Sequence, residues 1–501
     1  MRKFSTFLTI GLLALTLGAC KKKGEGSDTP GGDGGPGAGT VDKPSAEARA
    51  EFDKVVAAYK EAVPAGGKPS ESDCKKFVGK FEGLYKEFGE QMSIAEFNAA
   101  TLLEACGDED AAEKKYKKLA DGKYQLAMNN LGAMYWRRGN TKKALEWFDK
   151  AVKADPKKAF AARNNLAAAY RDRYKDSLDA KDFDTALKQI QNVLAVDTSN
   201  KMAYENLARL YYDRGRLKDK SYLLLSNLVV TQALQVLKKE GNDSAEIRNL
   251  KGLLLMEENN QVDALKSFKK AVELEPKHSD ANLNIAFISI RFRDYATAEK
   301  SLQIALKDPK VEKNIEAWIA LGVAQRGVKK YDAAEKTYKK AAELAKDDPR
   351  PWFNLAVLYQ DHKISEDGVD QAKLEEYYKV AQDHLNKTCK VVADKPCKDV
   401  DTKTLARKQR KGRKVGEDEQ LVAEAKLRDL TINEAFDAFA QAAELEKKMK
   451  ELQKKQEEQE KAERERLLEL EKQAAAEAAA AAEGGGDAEG GDADAAKEGD
   501  K

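Results

Sequence analysis

Residues 125–156 read QLAMNNLGAMYWRRGNTKKALEWFDKAVKADP, and the fold turns on how they are read. Counted from Gln125, Leu131, Gly132 and Tyr135 fall at positions seven, eight and eleven. Ala144, Phe148, Ala151 and Pro156 fall at twenty, twenty-four, twenty-seven and thirty-two. Spacings of three and four residues put each group on one helical face, so the stretch is a pair of amphipathic helices. Small side chains at positions eight and twenty let the two helices touch closely. The large ones fill the space against a neighbouring unit, and the proline closes the second helix.

The same signature recurs along the chain. Ala264, Phe268, Ala271 and Pro276 repeat the second-helix pattern behind Gly252, and Ala298, Leu302 and Ala305 repeat it behind Ile285 and Ala286. Trp318, Leu321, Gly322, Ala334, Tyr338 and Ala341 give another match. Further units are opened by Leu166, Ala167 and Tyr170, by Leu207, Ala208 and Tyr211, and by Leu355, Ala356 and Tyr359, with insertions between them. Ala100, Leu103, Ala112 and Tyr116 form a weaker first unit. The pattern resembles the tetratricopeptide repeat (TPR), which implies an all-α superhelical solenoid of about eight units over residues 93–388.

In that family the groove is lined by the first helix of each unit. Position six is Asn130, Asn165, Asn206, Asn284 and Asn354, whose amides are candidates to grip an extended peptide backbone; asparagine is also common in the family at that place. Position five holds Asn129, Asn164 and Glu205, where a chaperone-type clamp for acidic tails would need lysine. The early groove is polar or mixed, with Trp136, Arg171, Arg209 and Tyr212. The later groove is apolar, with Leu283, Phe287, Ile290, Ile319, Val323, Phe353 and Val357. Such a stripe needs a cover, either a partner's amphipathic helix or the chain's own INEAFDAFAQAA at 432–443, with Phe436 and Phe439 as anchors.

The two ends add an address and an extension. Arg2 and Lys3 precede the apolar run Phe4–Leu17, which is too short to cross a bilayer as a helix and reads as a signal peptide over residues 1–19. The following LGAC resembles a bacterial lipobox, which implies acylation of Cys20 and, with Lys21 next, lipid anchoring in the outer membrane facing the periplasm. Residues 20–44 are a flexible leash, and 45–92 form an N-terminal helical cap. Loss of Arg2 and Lys3 with the signal leaves 86 basic against 86 acidic residues, which argues against a nucleic-acid binder. Cys74, Cys106, Cys389 and Cys397 remain; proximity pairs Cys74 with Cys106 and Cys389 with Cys397, among three connectivities that four cysteines allow. His278, His362 and His384 have no metal-ligand spacing and read as surface residues.

Residues 389–431 form a basic connector in which 403–414, KTLARKQRKGRK, is either an anion-contacting patch or a solvated link. A long charged helix is expected over 432–483 and a disordered tail over 484–501. No Ser/His, paired-carboxylate or metal constellation stands out, so no catalytic residue, metal or cofactor is expected. The layout resembles the TPR lipoprotein of the adventurous gliding-motility apparatus, which implies a non-catalytic scaffold binding envelope proteins of a trans-envelope complex. The same architecture serves assembly factors for outer-membrane barrels or pilus secretins, and binding regulators of cell-wall enzymes.

Overall fold

The computed structural model describes residues 44–64, 67–400 and 415–483; throughout these the chain is helical, with no strand. Signal peptide, Cys20, leash, the 403–414 patch and the C-terminal tail lie outside the described residues. The chain divides into two compact units at Lys346 and Asp347.

The first unit opens with α1 (Ala46–Ala62) and α2 (Glu71–Phe88), then continues as seven antiparallel pairs. These are α3 (Ser93–Ala105) with α4 (Glu109–Asp121), α5 (Gln125–Arg137) with α6 (Thr141–Ala154), and α7 (Phe160–Ser177) with α8 (Ala180–Leu194). They continue with α9 (Lys201–Leu217) and α10 (Ser221–Lys239), α11 (Ala245–Glu257) and α12 (Gln261–Leu274), α13 (Ser279–Arg291) and α14 (Tyr295–Ala305), and α15 (Ile315–Gly327) and α16 (Tyr331–Leu344).

Local chemistry sets each hairpin. Asp108, Asn140, Asn260 and Asp294 cap the second helices of their pairs, each side chain accepting from the backbone N–H three residues on. The residue just before each cap takes a left-handed conformation: Gly107, Gly139, Asn259 and Arg293. Inside the hairpins the small positions are as tight as the repeat demands. A Cβ on Gly132 would stand 2.5 Å from the Phe148 ring, and one on Gly322 would stand 2.3 Å from Tyr338. Both rings are fully buried. The Cys74–Cys106 disulfide ties α2 to the end of α3, with Cα atoms 6.2 Å apart. One second helix departs from the pattern: α10 carries Leu224 and Leu228 on its outer face, 74% and 65% exposed.

The second unit is an eighth pair closed by its own extension. Helix α17 (Arg350–Val357) runs on through a π-helical turn at Leu358–His362 and pairs with α18 (Gln371–Ala393). A 3₁₀ turn at Cys397–Asp399 follows, held to α18 by the Cys389–Cys397 disulfide. Helix α19 spans Val415–Glu483, 69 residues and about 100 Å at 1.5 Å per residue. It therefore begins well before the expected Ile432, and the expected connector 389–431 contains the end of α18 and the first turns of α19. The reason is a narrow apolar seam among charges: Val422, Ala425 and Ile432 recur at helical spacing and are wholly buried against α18 and the 3₁₀ turn.

Candidate functional site

The first helices of the array line one concave face, and on it α5, α7, α9, α11 and α13 enclose a polar cavity of about 200 Å³. Asparagines hold these helices in register. Asn165 donates from Nδ2 to Asn129 Oδ1 at 2.9 Å, Asn284 to Asn249 Oδ1 at 3.1 Å, and Asn206 to the Asn164 carbonyl at 3.1 Å. Asn130 donates to the Tyr116 hydroxyl at 3.0 Å, and Asn354, in the second unit, to the Arg350 carbonyl of its own helix at 2.9 Å. The position-six amides expected to grip a peptide thus direct these N–H donors at the scaffold. Asn130, Asn165, Asn206 and Asn284 tie their helices to the preceding repeat, while Asn354 bonds only within α17.

The cavity walls are ion pairs. Arg209 Nε donates to Glu246 Oε1 at 2.8 Å, and its guanidinium lies 3.7 Å from Asp280. Arg171 bridges Asp172 at 3.1 Å and Asp213 at 3.6 Å. His278 caps α13, accepting at Nδ1 from Ala281 N–H, and places Nε2 3.3 Å from Glu246. Ser244 Oγ donates to Glu205 Oε1 at 2.6 Å. His278 and His384 are buried, 2% and 6% exposed, where the sequence suggested surface positions. Each finds polar and aromatic company inside: His278 with Glu246, His384 stacked on Trp352.

Burial and charge set the protonation of these groups. Burial would raise the Glu246 carboxyl, but Arg209 and His278 beside it outweigh that and bring it down to about 2. For Glu205 burial wins: with Glu246 adding to it, burial pushes the carboxyl up to about 7 against the Ser244 hydrogen bond and the charges of Lys201 and His278. Burial also raises Asp172. Lys310, from the loop between α14 and α15, reaches the cavity, and burial lowers its ammonium.

Sequence reading placed Asn129, Trp136, Asn164, Arg171, Glu205, Arg209 and Tyr212 in the early groove; the structure brings Trp136, Asn164, Arg171, Glu205 and Arg209 to the cavity wall but not Asn129 or Tyr212. It missed Glu246, Asp280, His278 and Lys310. Glu246 and Asp280 are the second residues of α11 and α13, a groove-lining position of the repeat, so that signal was present. Lys310 arrives on an inserted loop that no repeat position marks.

In the later part of the first unit, Phe287 is 40% exposed and Leu283, Ile290, Ile319 and Val323 are half-buried. In the second unit Phe353 is no open groove residue. It packs into the α17–α18–α19 core with the Arg428 guanidinium 5.8 Å from its ring. The cover there is α19. Its buried seam, Val422 to Ile432, lies upstream of the expected anchors, although Phe436 and Phe439 do flank Tyr378 at 6.3 and 6.1 Å. Both disulfides join the cysteines nearest in sequence. Among the described residues no cluster of three or more His, Cys, Asp or Glu is arranged to hold a metal, and no helix is long and apolar enough to cross a membrane.

Comparison with known proteins agrees with this architecture. Residues 125–158, 171–219, 245–278 and 290–351 match tetratricopeptide repeat families, and the array is a tetratricopeptide-repeat solenoid. Superkiller complex protein 3 of Homo sapiens is 34% identical over 126 residues, 24% of this chain and 8% of that protein. The chain thus spans less than a tenth of that relative. Among solved structures, Pseudomonas aeruginosa pilF is 18% identical with a TM-score of 0.36, covering 45% of this chain and 94% of that one. PilW, described as a widely conserved type IV pilus biogenesis factor, is 21% identical with a TM-score of 0.30, covering 44% of this chain and 92% of that one.

Proposed function

We propose that this chain is a non-catalytic scaffold that captures extended segments of partner proteins on the concave face of its repeat array. The reading rests above all on the cavity lined by the first helices of five successive repeats: α7, α9, α11 and α13 hold ordered ion pairs around an opening, α5 adds Trp136, and asparagines fix helices in register. Exposed Phe287 continues this face as an apolar contact surface.

The reading includes location. LGAC at residues 17–20 and the lysines after it support lipid anchoring through Cys20 in the outer membrane, with the array in the periplasm and partners among envelope proteins of a multiprotein complex. Gliding motility is the machine whose lipoprotein the layout resembles, and it is the pathway we propose. A candidate contact with anionic surfaces through residues 403–414 belongs to the same proposal.

The test is affinity capture of the mature protein from gently crosslinked envelopes, comparing wild type with the double substitution Phe287→Lys and Val323→Lys. Loss of a specific set of envelope proteins from the variant is expected. Unchanged capture would remove the groove from the function, and a Cys20→Ser chain that still fractionates with the outer membrane would remove the anchor. Motility-complex proteins spanning both membranes should be among those recovered; barrel-assembly or secretin proteins in their place would reassign the pathway.

A further inference from the structure

The cavity between α7, α9 and α11 has an imbalance in its hydrogen bonding. Asn164 Oδ1, Asp172 Oδ2 and Asp213 Oδ2 are buried acceptors that make no hydrogen bond among the described residues. Asn164 is 2% exposed, Asp172 3% and Asp213 8%, and all three line the opening. The guanidiniums nearby are held by charge: Arg171 hydrogen-bonds Asp172 and faces Asp213 Oδ2 at 3.6 Å with its own Nε unbonded, and Arg209 pairs with Glu246 and Asp280. Buried carboxylate and amide oxygens without donors are costly, and these three acceptors outnumber the Arg171 Nε donor left unbonded beside them. An acidic guest would have to displace carboxylates already seated on both arginines; a cationic guest leaves those pairs in place and has Lys310 beside it as a competing charge.

Size narrows the guest further. About 200 Å³ is below the usual range of 300–1,000 Å³ for cofactor or drug-sized pockets, and a helix of 10–12 Å diameter cannot enter. A single long side chain can. We propose that the cavity receives one basic side chain, a guanidinium or an ammonium, from an extended partner segment lying along the concave face. This specifies the partner chemistry of the scaffold reading and rests on it. Glu205, raised by burial despite Lys201 and His278, fits the same guest: a further positive charge in direct contact would return it to the carboxylate form.

The test selects random dodecamers displayed on phage against the full chain, then resynthesises the recovered peptides with each arginine replaced by citrulline and each lysine by norleucine. The expected result is a basic residue at one fixed register position. Its neutral replacement should weaken binding about tenfold, the loss expected for a charge-assisted hydrogen-bonded contact. That penalty should shrink in Glu205→Gln, which removes a carboxylate while leaving both arginine pairs in place. Peptides that lose binding in the Phe287→Lys, Val323→Lys chain yet tolerate the neutral replacements would overturn the basic anchor and leave the groove standing. Peptides indifferent to the groove substitutions, or no selected peptide at all, would overturn both.

Discussion

The two units build on the same hairpin and finish it differently. In the first, successive first helices meet across asparagine bridges and surround a water-accessible cavity with ion pairs. In the second, the corresponding face of α17 and α18 is filled by Val422, Ala425 and Ile432 of α19, and Phe353 lies inside the core. The repeat therefore specifies the hairpin and its stacking, while occupancy of the concave face depends on what the chain supplies. Where it offers an apolar seam at helical spacing, the face closes. Where it offers Arg171, Glu205 and Arg209, the face stays open and charged.

Breaking the shared hairpin should have the largest effect. Tyr338 is fully buried between α15 and α16 and packed against Gly322, so Tyr338→Ala leaves a void that the tight helix pair cannot collapse into. We expect a loss of about 3–5 kcal/mol, as for a buried aromatic truncation. In a solenoid it should be confined to α13–α16 and read as faster amide exchange there. Next comes the closure of the second unit. Ile432→Ala should cost about 2–5 kcal/mol and speed exchange across 415–436, whereas Leu452→Ala, on a part of α19 that is 56% exposed at that residue, should change nothing measurable. Equal effects at the two positions would refute the distinction between a packed first third and a solvated remainder.

Protonation sharpens the contrast on the open side. Glu246 is held down to about 2, so its contribution is present above its ordinary value of 4.5 and lost as pH falls towards 2. Glu205 runs the other way. Its folded-state proton persists to about 7, so its contribution is present below 4.5 and lost as pH rises from there to 7. The stability of α9–α11 should therefore fall between pH 4.5 and 7 by on the order of 2 kcal/mol, allowing for partial hydration of the cavity. Glu205→Gln should flatten much of that slope, leaving the part that Asp172 and His278, both raised as well, contribute in the same direction, as followed by exchange protection of α9 across that pH range.

Much of this was legible in the residues themselves. Gly132 opposite Phe148 and Gly322 opposite Tyr338 are read from spacing because a close helix approach admits no Cβ. The polar character of the early groove was equally plain from Trp136, Arg171, Glu205 and Arg209. Partnering was not. Asn165 looks like a ligand for a peptide until Asn129 is found 2.9 Å away, 36 residues earlier in the chain. His278 looks like a stray surface residue until its cap on α13 and Glu246 are both in view. The start of α19 was hidden because Val422, Ala425 and Ile432 are diluted by charged neighbours, and its helix buries Asp418 and Asp429 while turning Leu427 and Leu430 to solvent, against the apolar pattern.

The smallest effect separates the two disulfides. Cys74–Cys106 spans a sequence separation of 32 and Cys389–Cys397 one of 8. If each bridge acts only by restricting the unfolded chain, two doublings of loop length at about 0.6 kcal/mol each make the first worth about 1.2 kcal/mol more. The double substitution Cys74→Ser, Cys106→Ser should therefore destabilise α2–α3 by that much more than Cys389→Ser, Cys397→Ser destabilises the second unit, each followed by local exchange. The shorter bridge also holds the 3₁₀ turn whose Cys397 N–H donates to Asn386 Oδ1 at 2.9 Å and whose neighbour Val400 accepts from Lys426 of α19. Should its removal prove the more damaging of the two, chain entropy is not its main role. It would then act on the folded state, by presenting the surface on which α19 closes the second unit.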